Sequence, residues 1–189
     1  MEKSKTLSED ELNKITEFKD CNKGILLEHY VNSGDIDTIR LLLNHYPDCV
    51  DIYNTDYFGE TPLFNATESK NYEISKLLLE NGANVDAANF EEGTTSLMNS
   101  SYNNDTETTK LLLEHNANPD LVNKFGDTAL HMACRGGYTE IVKLLLKYKA
   151  DPNIENNFLG ANTPLKLALR EGHEEIITLL NKINENNSL

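Results

Sequence analysis

The residues of this chain that could carry catalytic or metal chemistry are five histidines, three cysteines and 31 aspartates and glutamates. Metal ligands and catalytic bases need defined spacings, such as two histidines one turn apart on a helix face. His29, His45 and His115 show no such spacing, and abundant carboxylates such as Glu174 and Glu175 do not by themselves make a paired acid and base. The chain also has no G-x-S-x-G motif and no glycine-rich phosphate loop. We therefore predict no catalytic residues, no metal site, no cofactor and no enzyme activity.

The charge of the chain narrows the classes of partner. Against 31 acidic residues stand 17 lysines and arginines, which gives a formal net charge of −14 at pH 7. A surface of this sign repels nucleic-acid phosphates and anionic lipid headgroups, so we expect no nucleic acid and no membrane as partners. It attracts a protein with a basic patch, although we favour the plainer interpretation that the charge keeps the protein soluble.

The cysteines and the N-terminal sequence indicate the cellular compartment of the protein. Cys21, Cys49 and Cys134 are odd in number and form no C-x-x-C pair, which favours free thiols in a reducing compartment. The polar N-terminal stretch lacks the apolar core of a signal peptide, and no apolar run approaches membrane-spanning length. We expect a cytoplasmic protein, while export without a cleaved signal stays open.

Two short sequence motifs, the anchors of the repeat, recur along the chain. The elements that they form must position the surface residues. Leucine triplets recur with first-leucine spacings of 36, 34, 33 and 35 residues, at Leu41, Leu77, Leu111, Leu144 and the shorter Leu179-Leu180. A glycine-threonine motif keeps the same register, with threonine spacings of 34, 33 and 35 residues, at Thr61, Thr95, Thr128 and Thr163. A fixed period of this length is the signature of a repeat protein.

Each anchor has a physical role in a pair of short helices. Thr61 can cap a helix by accepting a hydrogen bond from a free backbone N–H, and Pro62 suits the first helical position because its missing donor costs nothing there. Apolar residues at 74, 77 and 78 have the spacing of a second, one-faced helix. Gly82, and Asn116 one unit later, can supply the left-handed conformation that ends it. Such a pair buries its apolar faces only by stacking on neighbours, which predicts a solenoid.

At these positions the sequence resembles the ankyrin-repeat family, whose units run as G-x-T-P-L-H-x-A, then a G-H turn, E-I-V-x-L-L-L and G-A-D-x-N. The fourth unit matches best, over Gly126–Ala133, Gly137–Leu146 and Ala150–Asn153. The resemblance implies an all-α fold, an ankyrin-repeat solenoid of about five helix-turn-helix repeats joined by extended hairpin loops. We place the units at about 24–55, 56–89, 90–122, 123–156 and 157–183. Residues 1–23 then hold an N-terminal capping helix, and residues 184–189 form a polar tail.

A capping helix precedes the repeats, and the third and fourth units depart from the family pattern in ways that predict local behaviour. Ser8 and Glu11 form a capping box for a helix from about Glu9 to Phe18. In the third unit Ser100-Ser101 and Thr108-Thr109 replace apolar residues, and at about 0.8 kcal/mol per buried methylene this unit should be weaker than the fourth by a few kcal/mol. It is therefore our candidate hinge. Lys149 occupies the helix-ending glycine position of the fourth unit, which predicts a small strain or a different turn.

The resemblance also implies roles for individual side chains. His131 stands at the T-P-L-H position and His173 at the G-H turn, where both would be structural. Recognition in this family uses the tips of the extended connections and the exposed side of each first helix. Carried over one unit at a time, these positions are Tyr57, Phe58, Glu60 and Glu68, then Glu91, Glu92, Tyr102 and Asn103, then Lys124, Phe125, Asp127 and Arg135.

Aromatic and acidic residues alternate at these tips. Large rings make good contact residues, but for Phe90, Phe125 and Phe158 we favour packing on the adjacent tip, and Tyr57 and Tyr102 are the better contact residues. Together with the neighbouring glutamates they suit a partner that presents Arg or Lys beside an apolar anchor.

The function implied by the resemblance is a non-catalytic protein–protein interaction module, an adaptor, scaffold or inhibitor that binds a protein partner on its concave face. We expect a monomer. Two alternatives stay open: a microbial effector that acts on a host protein, to which the abundance of Asn, Lys and Ile points weakly, and a targeting subunit of a separate enzyme.

Overall fold

The computed structural model describes residues 13, 16, 22–50, 59–157, 160 and 162–186. Within residues 22–186 the described segments contain ten α-helices in five consecutive pairs. The pairs are α1 (Lys23–Ser33) with α2 (Ile36–His45), α3 (Pro62–Glu68) with α4 (Tyr72–Glu80), α5 (Ser96–Tyr102) with α6 (Thr106–Glu114), α7 (Ala129–Gly136) with α8 (Thr139–Lys147), and α9 (Pro164–Glu171) with α10 (Glu174–Asn186).

Threonine caps start the first helix of each of the last four pairs, as the sequence predicts. The Thr61 hydroxyl accepts from the Phe64 N–H at 3.2 Å, and Pro62 is the first helical residue. Thr95, Thr128 and Thr163 accept from the third helical N–H in the same way, each at 3.3 Å. The first pair differs, because Asn22 caps α1 and the helix begins earlier, at Lys23.

Left-handed residues end the second helices of the second, third and fourth pairs. Gly82 has φ 88° and Asn116 has φ 64°, as predicted. Lys149 has φ 66°, so the fourth unit keeps the same turn and accepts the strain of a left-handed lysine.

The core lies between stacked helix pairs. First helices pack on first helices along the chain, α3 on α5, α5 on α7 and α7 on α9, and the second helices form a parallel row. The second leucine of each run is fully buried, at Leu42, Leu78, Leu112, Leu145 and Leu180. The leucines that recur with this period therefore form the row along which neighbouring units pack.

Hairpin tips join the units and hold each other. In the tip of the third unit, the Asn89 N–H donates to the Thr94 carbonyl at 3.0 Å and closes the hairpin, while Ala88 and Thr95 form an antiparallel bridge. The next tip binds this one, since Lys124 N–H donates to the Glu92 carbonyl at 2.8 Å. One unit later Asn157 N–H donates to the Phe125 carbonyl at the same 2.8 Å.

The third unit has the polar core that the sequence predicts. Ser100, Ser101, Thr108 and Thr109 are all fully buried. Thr109 Oγ1 donates to Ser100 Oγ at 2.9 Å, and Ser100 Oγ donates to the Leu97 carbonyl at 3.1 Å. Within the described part of the chain, Ser101 Oγ and Thr108 Oγ1 have no hydrogen-bond partner.

Some residues with predicted roles lie at or beyond the ends of the described segments. The capping helix lies outside the described residues except at positions 13 and 16, and Tyr57, Phe58 and Phe158 lie outside them as well. At the other end α10 continues to Asn186, three residues into the segment that we assigned to a polar tail. The unit and tail boundaries stay predictions.

Candidate functional site

A groove of about 440 Å³ runs across the tips and first helices of the second to fourth units. Most of the residues predicted for partner binding line it: Glu60, Glu68, Glu91, Glu92, Tyr102, Phe125, Asp127 and Arg135. The repeat brings them together because each unit presents the same two positions, tip and first helix, on one side of the stack.

Asn103 and Lys124, the other predicted residues that the structure describes, lie elsewhere. Asn103 ends α5, where its carbonyl accepts from Lys70 Nζ at 2.9 Å and its side chain donates to Asn99 at 2.9 Å. Lys124 Nζ donates to the carbonyls of Phe90 and Glu91 at 2.7 and 2.6 Å and so holds the preceding tip. Neither residue lines the groove.

Apolar side chains line the groove together with the acidic ones. Phe64, Met98 and Met132 line it and come from the first helices α3, α5 and α7. Tyr102 and Phe125 border it with 61% and 46% of their surface exposed. The two methionines were not among the predicted residues, because Met98 is the third residue of its helix and Met132 the fourth, so the repeat period does not align them.

The aromatic tips have two different roles. Phe90 lies against the preceding tip, because a Cβ atom at Gly59 would overlap its ring, and yet the residue is 59% exposed. Phe90 does not line the groove, whereas Phe125 does. Only Phe125 of these two is therefore available to a ligand there.

Asp127 and Arg135 form an ion pair at the fourth tip. Arg135 Nη2 lies 2.7 Å from Asp127 Oδ2, and Asn156 Nδ2 of the next tip donates to Asp127 Oδ1 at 2.6 Å. Asp127 is only 4% exposed. Its carboxylate therefore fastens the fifth tip to the fourth, and a ligand in the groove would meet Arg135 rather than Asp127.

An asparagine closes each of the last three tips, a pattern that sequence reasoning missed. The Oδ1 atom of Asn89 accepts from the Thr94 N–H at 3.0 Å, that of Asn123 from the Asp127 N–H at 3.0 Å, and that of Asn156 from the Asn162 N–H at 3.1 Å. The three asparagines stand 34 and 33 residues apart, so the repeat period itself was the available signal.

Comparison with known proteins agrees with this architecture. The family model described as ankyrin repeats, three copies, matches residues 7–89 and 97–188. The chain belongs to the ankyrin-repeat family. Ankyrin repeats generally mediate protein–protein interaction and are typically not catalytic.

A curated ankyrin-repeat relative is the transient receptor potential cation channel subfamily V member 1 of the guinea pig, Cavia porcellus. The two are 42% identical over 85 residues, which cover 39% of this chain and 10% of the channel. The chain therefore spans about a tenth of the length of the relative that it matches.

His131 has the buried, hydrogen-bonded position that ankyrin repeats imply for it. Thr128 N–H donates to His131 Nδ1 at 3.2 Å, so Nδ1 carries no proton, and Nε2 donates to the Asn162 carbonyl of the next unit at 3.0 Å. The neutral ring thus satisfies both neighbours. His173 of the fifth unit lies against Gly137, with Nε2 3.2 Å from the Arg135 carbonyl oxygen.

Acidification is expected to weaken the ankyrin stack through His131. Burial lowers the pKa of this ring below 6.5, more than the Asn162 carbonyl and the Asp127 charge raise it. Its contribution to the free energy of unfolding is complete above the unfolded pKa of 6.5 and is lost as pH falls toward the folded pKa, at up to about 1.4 kcal/mol per pH unit. His131→Gln keeps an acceptor for the Thr128 N–H but does not titrate.

Urea unfolding of both proteins between pH 7.5 and 5 measures this effect. The native chain should lose more stability over that interval than His131→Gln does. Equal losses would show that other groups cause the acid sensitivity.

Chemically reactive groups do not gather in the described part of this ankyrin protein. Cys49 and Cys134 are free and buried, and burial raises the pKa of their thiols to about 11 and about 12, which keeps them protonated and unreactive. Over the described segments, no three His, Cys, Asp or Glu residues are placed to hold a metal ion, and no helix has the length and apolar character to cross a membrane.

Proposed function

We propose that this ankyrin-repeat chain binds a protein partner in the groove of its second to fourth units and acts there as a non-catalytic adaptor, scaffold or inhibitor. The observation that carries the proposal is the exposed Tyr102 ring, which borders a groove that also contains methionines and four glutamates. Half-exposed aromatic rings beside apolar pockets are typical of binding hot spots, because they bury a large area at low conformational cost.

Charge indicates the kind of surface that such a partner presents. Glu60, Glu68, Glu91 and Glu92 line the groove against one arginine, and that arginine is paired with Asp127. A basic patch on the partner would be attracted there and would bind less tightly at high salt. We further propose that the protein is monomeric and cytoplasmic, which fits its free thiols.

Replacing Tyr102 with alanine is expected to weaken partner binding at least 30-fold, which corresponds to the roughly 2 kcal/mol that marks a hot-spot residue. The matched control is Phe90→Ala, which removes an equally exposed ring outside the groove and should change affinity less than threefold. Partners are captured from cells of the native organism, and the affinity of a purified partner is measured by calorimetry at two salt concentrations.

Circular dichroism shows whether both variants stay folded. A partner that binds Tyr102→Ala as tightly as the native chain would contradict the groove as the site. Affinity that does not change with salt would contradict the charge argument alone.

A further inference from the structure

The boundary between the third and fourth units lacks one hydrogen bond that joins the tips of the fourth and fifth units. At the later boundary Asn156 Nδ2 donates to the carboxylate of Asp127. At the earlier boundary the equivalent positions are Asn123 and Thr94. The shorter Thr94 side chain is hydrogen-bonded to Glu92 Oε2 at 3.4 Å instead.

Asn123 Nδ2 is consequently a buried donor with no hydrogen-bond partner in the described part of the chain. The residue is 5% exposed and lines the groove. Its amide orientation is fixed, because Oδ1 accepts from the N–H groups of Phe125 and Asp127, both at 3.0 Å. Leaving a buried amide donor unpaired is costly, so a ligand that pairs it gains affinity.

Two groups of charges divide the groove along its length. The glutamates of the second and third units line the 440 Å³ cavity. An adjoining cavity of about 240 Å³ shares Phe125, Asp127 and Arg135 with it and is also lined by Arg170 of the fifth unit. Cationic side chains are favoured at the first end and gain no attraction at the second, where Arg135 is paired with Asp127 and Arg170 with Glu171.

We propose that the occupant of this groove is an extended segment of a partner protein, a refinement that rests on the proposed function. One of its main-chain carbonyls accepts from Asn123 Nδ2, an apolar side chain lies on Met132, and its Lys or Arg side chains lie over Glu91 and Glu92. The end over the two arginines carries no cation.

The donor explains why the segment is extended. Backbone carbonyls within a helix are already paired with N–H groups of the same helix, except in its last turn, whereas an extended chain offers a carbonyl at every residue. Met98 and Met132 line the same groove as Asn123. The buried amide becomes accessible to the segment only if neighbouring side chains move, and methionine side chains repack easily.

A phage-displayed library of random 12-residue peptides, panned against the full chain, tests the chemistry of the segment. Selected peptides should contain Lys or Arg on one side of an apolar residue and should be unstructured when free. Replacing their cation with alanine should show coupling to Glu92→Gln in a double-mutant cycle, and none to Glu107→Gln on α6 outside the groove. Enrichment of helical or acidic peptides, or coupling equal in both variants, overturns the proposal.

The Asn123 donor is tested with two variants of Thr94 that have similar shape. Thr94→Asn places an acceptor where Asn123 Nδ2 can use it within the protein, while Thr94→Leu does not. The Asn variant should bind the selected peptides about threefold to tenfold more weakly than the Leu variant, as expected for one hydrogen bond. Equal affinities overturn the role of Asn123.

These results are separable from the test of the proposed function. If Tyr102→Ala abolishes binding of the cellular partner but the two Thr94 variants bind it equally, the groove is the binding site and the extended-segment proposal fails. If Tyr102→Ala binds normally, both proposals fail.

Discussion

Gly126→Ala is expected to lower the free energy of unfolding by about 2–5 kcal/mol, whereas Gly93→Ala, the same tip position one unit earlier, should cost only about 1–2 kcal/mol. Both glycines are left-handed, with φ 76° and 71°, so an alanine meets the same backbone strain at either site. They differ in what a Cβ atom would touch.

The neighbouring tip lies closer at Gly126. A Cβ there would lie 2.8 Å from Asn157 N and 3.0 Å from Asn156 Cα, both backbone atoms, while at Gly93 the nearest atom is Lys124 N at 3.6 Å. The close approach occurs where Asp127 holds Asn156, and at the Gly93 boundary the equivalent residue is Thr94. Backbone in a hydrogen-bonded tip cannot move aside cheaply, so the overlap adds to the strain.

Urea denaturation of the two variants and the native chain gives both differences directly. Proteolysis at low protease concentration then reports whether Gly126→Ala loosens the fifth unit, as loss of its packing on the fourth predicts. Equal destabilisation by the two alanines would mean that the tips have no fixed spacing.

The fold could be predicted from the sequence because the residues that start and end its helices recur at the same positions of each unit. Thr61 with Pro62 predicted a helix start, and Gly82 and Asn116 predicted helix ends, all of which the structure has. Lys149 could be predicted only as a strain or a changed turn, since the choice depends on how strongly the neighbouring units fix the backbone. A local propensity cannot report that competition.

The groove was predictable as a set of positions but not as a set of contacts. Tyr102 and Arg135 occupy equivalent places in consecutive units, so the period puts them on one face. Whether Asp127 is exposed or buried depends on its contact with Asn156, 29 residues away in the sequence, and the repeat period does not predict that contact. The unpaired donor of Asn123 has the same origin, a difference between one residue pair and its repeat.

Removing two buried hydroxyls of the third unit is expected to stabilise the protein. Ser101 Oγ and Thr108 Oγ1 are buried without a partner in the described residues, and each such group costs about 1–3 kcal/mol. The double variant Ser101→Ala with Thr108→Val deletes both at nearly constant volume, which should raise the free energy of unfolding by about 2–4 kcal/mol. The control Thr109→Val should gain less, because the Thr109 hydroxyl already donates to Ser100.

Native-state hydrogen exchange tells whether this gain is local. In the native chain residues 95–113 should exchange faster than residues 128–146, because the third unit buries hydroxyls where the fourth buries Ile141 and Val142. The double variant should slow exchange in residues 95–113 most. Equal protection of the two segments in the native chain would contradict the third unit as a hinge, and a Thr109→Val variant as stable as the double variant would contradict the cost assigned to the unpaired hydroxyls. Since α5 supplies Tyr102 and Met98 to the groove, a weak third unit also means that a bound partner must slow exchange there more than in the fourth unit.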